Sequence, residues 1–465
     1  MSLIVFLLIS ILTVILTTWI LRKILLEGKY EYAIFFVLYY LPFYVTGLGL
    51  VYLPTRSILI VNIFQYLKEL VLVTGVLSFV FYHKSFFQYP FRLHKVDMLF
   101  LAFIGLGFLY MVLPLGEAST VSKVVYFKNL LMPGLVYFLA RNTQFDEQDA
   151  RDLFKGIFII ALLAFIVNIG EKLAATHLQS HTGFAIFLQE VRDMEPSGNY
   201  GLAWTFETQS TSRRLASFFA DPLELASSVL LGFSAGLIWY LTSKREDWTV
   251  YAIVMGASFA SLLFSSSRAA FASFFVMLLF IAVIFRLYKL LLFGGAVFLL
   301  FVVYVLFFAS EDFYFFVIDT ITFENTSSVG HVVEWLLALE SMVANPLGIG
   351  LAMSGNVGVV DEELRVGGEN QYLIYGVQLG WIGMFLYILI LAYGIKTCIQ
   401  VFRLSDNVMT ARIAFVGAAV KVGLLLPLFT ANAELYSYVA WMSWWMVGYS
   451  VNAFQQIKYS SIQLS

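Results

Sequence analysis

LIVFLLISILTVILTTWIL, residues 3 to 21, carries no charged side chain over about the 20 apolar residues that an α-helix needs to span a bilayer. No basic segment precedes it and no small-residue cleavage site follows, so it reads as a retained first membrane helix rather than a signal peptide. Runs of the same kind recur near 31–53, 58–82, 97–115, 124–140, 153–172, 217–241, 248–266, 268–286, 288–308, 371–395, 410–430 and 434–453, which makes thirteen spans within an expected range of 12–14. The chain is 60% hydrophobic and 12% charged, with a mean hydropathy of +0.85. Soluble domains have about 45–50% apolar and about 25% charged residues. Backbone groups in hydrocarbon must bond within the segment, and unbroken apolar runs rather than short alternating ones point to helices and not to a strand barrel. The expected class is an all-α polytopic membrane protein, one integral membrane domain over 1–465.

Basic residues set the sidedness, because short cytoplasmic loops keep an excess of Lys and Arg. One set of alternate loops carries Arg22, Lys23 and Lys29; Lys84, Arg92 and Lys95; Arg141, Arg151 and Lys155; Lys244 and Arg245; Arg286 and Lys289; and Lys396, Arg403 and Arg412. That set is expected to be cytoplasmic. The opposite set is poorer in positive charge although it holds the two large loops, 173–216 and 309–370, which are therefore expected to face the periplasm or exterior. Both are short for independent domains and are expected to pack on the bundle. In the second, Val332, Trp335, Leu336, Leu339, Met342 and Val343 recur at helical spacing, with His331, Glu334 and Ser341 on the other face. Asn345 and Pro346 stop that helix, and a glycine-rich stretch from Gly348 to Gly368 follows.

A net charge of -2 with scattered basic residues gives no footprint for nucleic acid. The lone Cys398 rules out an intrachain disulfide or a cysteine-built metal cluster. No HExxH, Walker loop or aspartate array is present, so no metal or other cofactor is expected.

Four polar groups fall on the outward side: Arg213 and Arg214 leading into Leu215–Pro222, Arg268 after three serines, His331 with Glu334, and Glu369 with Asn370. Any one arginine at a membrane boundary is explained equally well by headgroup contact. Three of them opposite the usual positive side suggest a phosphate site, since the guanidinium fork matches phosphate oxygens bidentately. Lys128 and Lys421 lie inside apolar runs, where an ionisable residue is a functional candidate or one half of a structural pair. Glu369 reads either as a cap on the following helix or, with His331, as a general base for a hydroxyl group.

The segment Ser327, Gly330, His331, Trp335, Leu336, then Asn345 through Gly350, Glu369, Asn370, Tyr372, Leu373, Gly380, Ile382 and Gly383 resembles the signature of the O-antigen ligase and polymerase superfamily of bacterial envelope enzymes. Arg214–Pro222 and Ser265–Arg268 resemble two further landmarks of that family, so the likeness spans about 213–395. Ligases of the family usually carry an arginine near the place of His331 and a His-Asn pair where this chain has Glu369-Asn370, which looks more like the polymerase branch. The resemblance implies a metal-independent glycosyltransferase in the bacterial cytoplasmic membrane that joins undecaprenyl-pyrophosphate-linked repeat units into O-antigen or exopolysaccharide. A ligase to lipid A core, or a carrier of the same glycolipids, is the alternative. It further implies Arg213, Arg214, Arg268 and Lys128 around the pyrophosphate, Glu369 or His331 as base, and Asn370, Glu334 and Tyr372 at the acceptor sugar. Membrane lipids and a chain-length regulator are the further partners it implies.

Overall fold

The computed structural model describes residues 2–82, 92–143, 145–195, 197–208, 212–311, 314, 317–318, 322, 326–355 and 363–463. Every one of the thirteen apolar runs folds as helix. The helices are α1 (Ser2–Leu25), α2 (Ala33–Tyr40), α3 (Tyr44–Thr55), α4 (Ile58–Tyr82), α5 (Lys95–Val112), α6 (Thr120–Arg141), α7 (Glu147–Ala174), α8 (Leu178–His181), α9 (Phe184–Arg192), α10 (Pro222–Thr242), α11 (Trp248–Ser265), α12 (Arg268–Ile284), α13 (Tyr288–Phe307), α14 (Thr326–Ala344), α15 (Gln371–Leu404), α16 (Val408–Gly423), α17 (Leu425–Thr430) and α18 (Ser437–Gln463). The protein is an all-α polytopic membrane protein. Among the described residues nine helical segments are long and apolar enough to cross a membrane: Leu3–Leu25, Tyr30–Thr55, Ile58–Tyr82, Lys95–Val112, Glu147–Ala174, Pro222–Thr242, Arg245–Ser265, Gln371–Leu404 and Val408–Thr430. Arg268–Ile284 and Leu291–Phe307 are shorter apolar helices, and α6 and α18 complete the set.

Two spans differ in detail from the hydropathy reading, for local reasons. The second is broken into α2, a 3-10 turn and α3 at Pro42, whose missing N–H cannot continue the ladder. The seventh starts at Pro222 rather than 217, because Asp221 in extended conformation accepts the Leu223 and Glu224 amides at 2.7 and 2.8 Å and proline suits the first helical position. That leaves Ser217–Ala220 as a connector, with Ser217 in the left-handed region at φ 54.

Loops assigned to the same side by charge also touch one another. Tyr30 Oη donates to the Asn142 carbonyl and Tyr32 Oη to Asp149, each at 2.7 Å, while Arg412 Nε donates to Thr242 Oγ1 at 2.8 Å and stacks on Trp239. At the opposite end Gln179 donates to Thr46 and to the Phe219 carbonyl, and Arg56 pairs with Glu190. The first large loop thus packs on the bundle, held by the Glu171 carboxylate, which accepts the amides of Leu178 and Ser217 at 2.9 and 3.0 Å.

The second loop is held by a break in α15. Gly380 sits at φ 70, ψ -177, which interrupts the helix and releases the carbonyls just before it. Ile349 N–H donates to Val377 O at 2.8 Å, Gly350 N–H to Gln378 O at 3.2 Å, and Trp381 N–H to Pro346 O at 3.1 Å. The helix break and the Asn345–Gly350 turn thereby satisfy each other's backbone groups, as hydrocarbon demands. A Cβ on Gly380 would lie 2.5 Å from the Pro346 carbonyl oxygen, and one on Gly348 2.5 Å from Gly380 N, so only glycine fits either place. The buried Gln378 side chain finishes the joint, accepting the Ala352 amide at 2.7 Å and donating to Tyr126 Oη and the Ser354 carbonyl.

Candidate active site

The four polar groups expected to face outward come together as two pairs. Arg214 lies beside the Ser265–Arg268 turn: its Nε donates to the Ser265 carbonyl at 3.0 Å, and the next amide, Leu215, donates to Phe264 O at 3.0 Å. Arg268 begins α12 just beyond, within electrostatic range of Arg214. Burial pulls the Arg214 guanidinium below its ordinary range, an effect opposed by the Asp221 carboxylate. Burial likewise pushes the Asp221 carboxyl up, against the pull of its two amides and of Arg214.

The second pair is His331 and Glu369. His331, on α14, directs Nδ1 at a Glu369 carboxylate oxygen, and the imidazole lies 6.2 Å from the Trp335 ring one helical turn on. Both side chains are partly exposed, so a ligand can reach them. Glu369 is not the helix cap. Asn370 fills that role, its Oδ1 accepting the Tyr372 and Leu373 amides at 3.0 and 3.2 Å, and the Glu369 carboxylate is left for other work. Glu334 on the same helix faces Arg365 at 3.7 Å.

Burial, with the Asp221 and Glu224 carboxylates, pushes the Tyr436 phenol well above its usual value, so it remains a hydrogen-bond donor. Beside Glu369 opens an apolar groove of about 690 Å³, bordered by Trp335, Asn370, Tyr372, Ile388, Leu425 and Phe429, with Tyr372 Oη donating to the Leu425 carbonyl at 3.3 Å.

Two expected residues stand elsewhere. Arg213 and Arg214 are consecutive in an extended segment, so their side chains diverge: Arg213 stacks over Tyr200 at 4.9 Å, near His177, rather than joining Arg214. Lys128 pairs with Glu69 at 3.0 Å and lies over the Tyr66 ring, in contact between α6 and α4. Tyr436 and Asp221 were not singled out as site residues from the sequence. For Asp221 the Asp-Pro-Leu-Glu cap pattern was the available signal; Tyr436 offers none. Among the described residues no group of three or more His, Cys, Asp or Glu side chains is placed to hold a metal ion.

The fold and site define an all-α membrane bundle with a carboxylate next to an apolar groove and a buried arginine packed on the Ser265–Arg268 turn. Residues 252–388, which include Arg268, His331, Glu369 and the Gly380 break, match the family described as O-antigen ligase. No curated protein matches the chain.

Proposed function

We propose that the protein polymerises lipid-linked oligosaccharide repeat units on the outer face of the cytoplasmic membrane. The observation that carries the reading is the Glu369–His331 pair beside the apolar groove that Trp335 and Asn370 border; Arg214, packed on the Ser265–Arg268 turn, and Arg268 itself supply the cations the reading needs. A polyprenyl-pyrophosphate glycan needs all three: an apolar seat for the chain, cations for the diphosphate, and a base at the sugar. Glu369 takes the proton from the acceptor hydroxyl as its oxygen attacks the anomeric carbon of the donor. The bond from that carbon to the phosphate oxygen breaks, and its electron pair leaves with polyprenyl pyrophosphate, whose charge Arg214 and Arg268 stabilise. Glu369-Asn370, where ligases resemble one another in His-Asn, supports the polymerase. The ligase remains the second reading, because the matched family is described by that activity.

Purified protein in detergent, given lipid-linked repeat units without nucleotide or added metal, should yield a ladder of lipid-linked products on a gel. Product formed only after a lipid A core acceptor is added would establish the ligase instead. Glycolipid crossing a vesicle membrane with no new glycosidic bond would replace both with a carrier.

A further inference from the structure

A charged cluster between α4 and α6 has no part in the reaction above. Glu69 accepts Lys128 Nζ at 3.0 Å and faces Lys68 Nζ at 3.5 Å, both through the same oxygen, Oε1. Lys68 is the more buried of the two: its Nζ donates to the Gln65 carbonyl at 2.9 Å and lies 3.9 Å from the Tyr44 ring centre. The Lys128 side chain is 28% exposed against 10% for Lys68, and its Nζ lies 5.4 Å from the Tyr66 ring centre. No other carboxylate among the described residues is paired with either lysine. One carboxylate thus answers two ammonium groups, and the cluster keeps one net positive charge between two apolar helices.

Uncompensated charge at membrane depth is costly, and a tie between α4 and α6 would need only one of the lysines. The surface beside the cluster offers a place for an anion. A groove of about 340 Å³ runs along the exposed face of α4, lined by Asn62, Ile63, Tyr66, Leu67 and Leu70. Tyr66 joins the two features, since it walls the groove and carries Lys128 over its ring. Asn62, exposed and one helical turn before Tyr66, is the one amide side chain in that wall. Helices α4 and α6 begin at Ile58 and Thr120, at the end of the bundle where Arg56 meets Glu190 of the first large loop and Gly350 of the second lies against Leu115. Side chains on a helix lean toward its N-terminus, so Lys128 and Asn62 both lean toward that boundary. At 1.5 Å per residue they stand only about 12 and 6 Å along their helices from those first residues. Ile63, Leu67 and Leu70 carry the groove deeper.

We infer that this face binds one anionic phospholipid, its phosphodiester against Lys128 and Asn62 and an acyl chain along Ile63, Leu67 and Leu70. A phosphodiester carries a single negative charge, which neutralises the cluster, whereas a pyrophosphate would overshoot it. Free phosphate would leave the apolar groove unused. The site stands apart from the glycan-transfer reading and does not depend on it.

The test titrates purified full-length protein in detergent with phosphatidylglycerol or phosphatidylcholine of the same acyl chains and counts bound lipid by native mass spectrometry. The parent should hold phosphatidylglycerol at least about tenfold more tightly, the scale of one hydrogen bond to a charged group. Lys128→Gln should erase that preference. Glu69→Gln raises the charge of the cluster by one and should strengthen phosphatidylglycerol binding, whereas a merely structural ion pair would make both variants lose it alike. Should either variant fail to fold, Asn62→Phe, at an exposed position outside the ion pair, blocks the groove and should release the lipid with Tm unchanged. Preference retained in Lys128→Gln or Asn62→Phe, or equal losses in Lys128→Gln and Glu69→Gln, would overturn the inference. Displacement of phosphatidylglycerol by an equal concentration of polyprenyl pyrophosphate would overturn it in favour of the substrate lipid, and displacement by inorganic phosphate alone would refute a lipid site.

Discussion

Exchanging Glu369 for glutamine removes a basic carboxylate while keeping the size of the side chain and most of its hydrogen bonding. Asn370, not Glu369, caps α15, so the helix start should survive intact. The lost structural interaction is the contact with His331, and both partners are partly exposed, where an ion pair is worth about 0–1 kcal/mol. Loss of a general base costs about 10²–10⁴ in turnover. At 1.36 kcal/mol per tenfold, that is about 2.7–5.4 kcal/mol of transition-state stabilisation, several times the stability change. Catalysis and folding are therefore separable in one variant. Turnover of lipid-linked repeat units, measured beside thermal unfolding in the same detergent, should show a large fall in kcat with nearly unchanged donor binding and Tm. Near-normal turnover for Glu369→Gln, with His331→Ala inactive yet folded, would make the imidazole the base and leave Glu369 as its partner. Full activity in both variants would remove the pair from the reaction altogether.

Arg214→Ala should lower kcat/KM for the donor about 10²–10³-fold, and Arg214→Lys should recover only part, because an ammonium cannot serve both the Ser265 carbonyl and a phosphate as the guanidinium fork does; full rescue by lysine would refute the fork. His177, buried near Arg213, is held down to about 4 by burial, so the unfolded chain binds the extra proton and stability falls as pH drops from about 6.5 toward 4, by at most about 3 kcal/mol. His177→Phe should flatten that slope in pH-dependent unfolding, and an unchanged slope would show that other groups set it. A cysteine at Glu363 should react with an impermeant thiol reagent added outside intact cells while one at Glu246 should not; the reverse pattern would put the site in the cytoplasm. Gly380→Ala should destabilise the protein by more than the roughly 1–3 kcal/mol of a backbone region open essentially to glycine alone, since its Cβ also meets the Pro346 carbonyl, and a Tm within error of the parent would show that the helix break relaxes freely.

Hydropathy displayed the bundle because each span must be apolar over a bilayer's thickness whatever it packs against, and so every run from Leu3 onward became helix. It was blind where local stereochemistry takes over from solvent. Ser217 to Ala220 are as apolar in company as the helix they precede, yet Asp221 and Pro222 fix the helix start and turn those residues into a connector beside Arg214. The break at Gly380 was equally hidden, since a glycine in an apolar run carries no mark of φ 70 until the loop whose amides donate to its neighbours' carbonyls is in place.

The site divides along the same line. His331 and Glu369 were nameable because each sits in a short polar group at a membrane boundary, where charge is conspicuous. Spacing along the chain could not separate Arg213 from Arg214, because adjacent residues differ only in which way an extended backbone throws them, and that is decided by the Phe206 carbonyl that takes the Arg214 amide at 2.9 Å. Tyr436 lies still further from sequence reasoning. It is one of 26 tyrosines, just beyond a turn whose Glu434 faces a lysine 13 residues earlier inside the bundle. Intramembrane charge did single out Lys421 as unusual; only the fold shows that its partner is Glu434, in the turn that leads into α18.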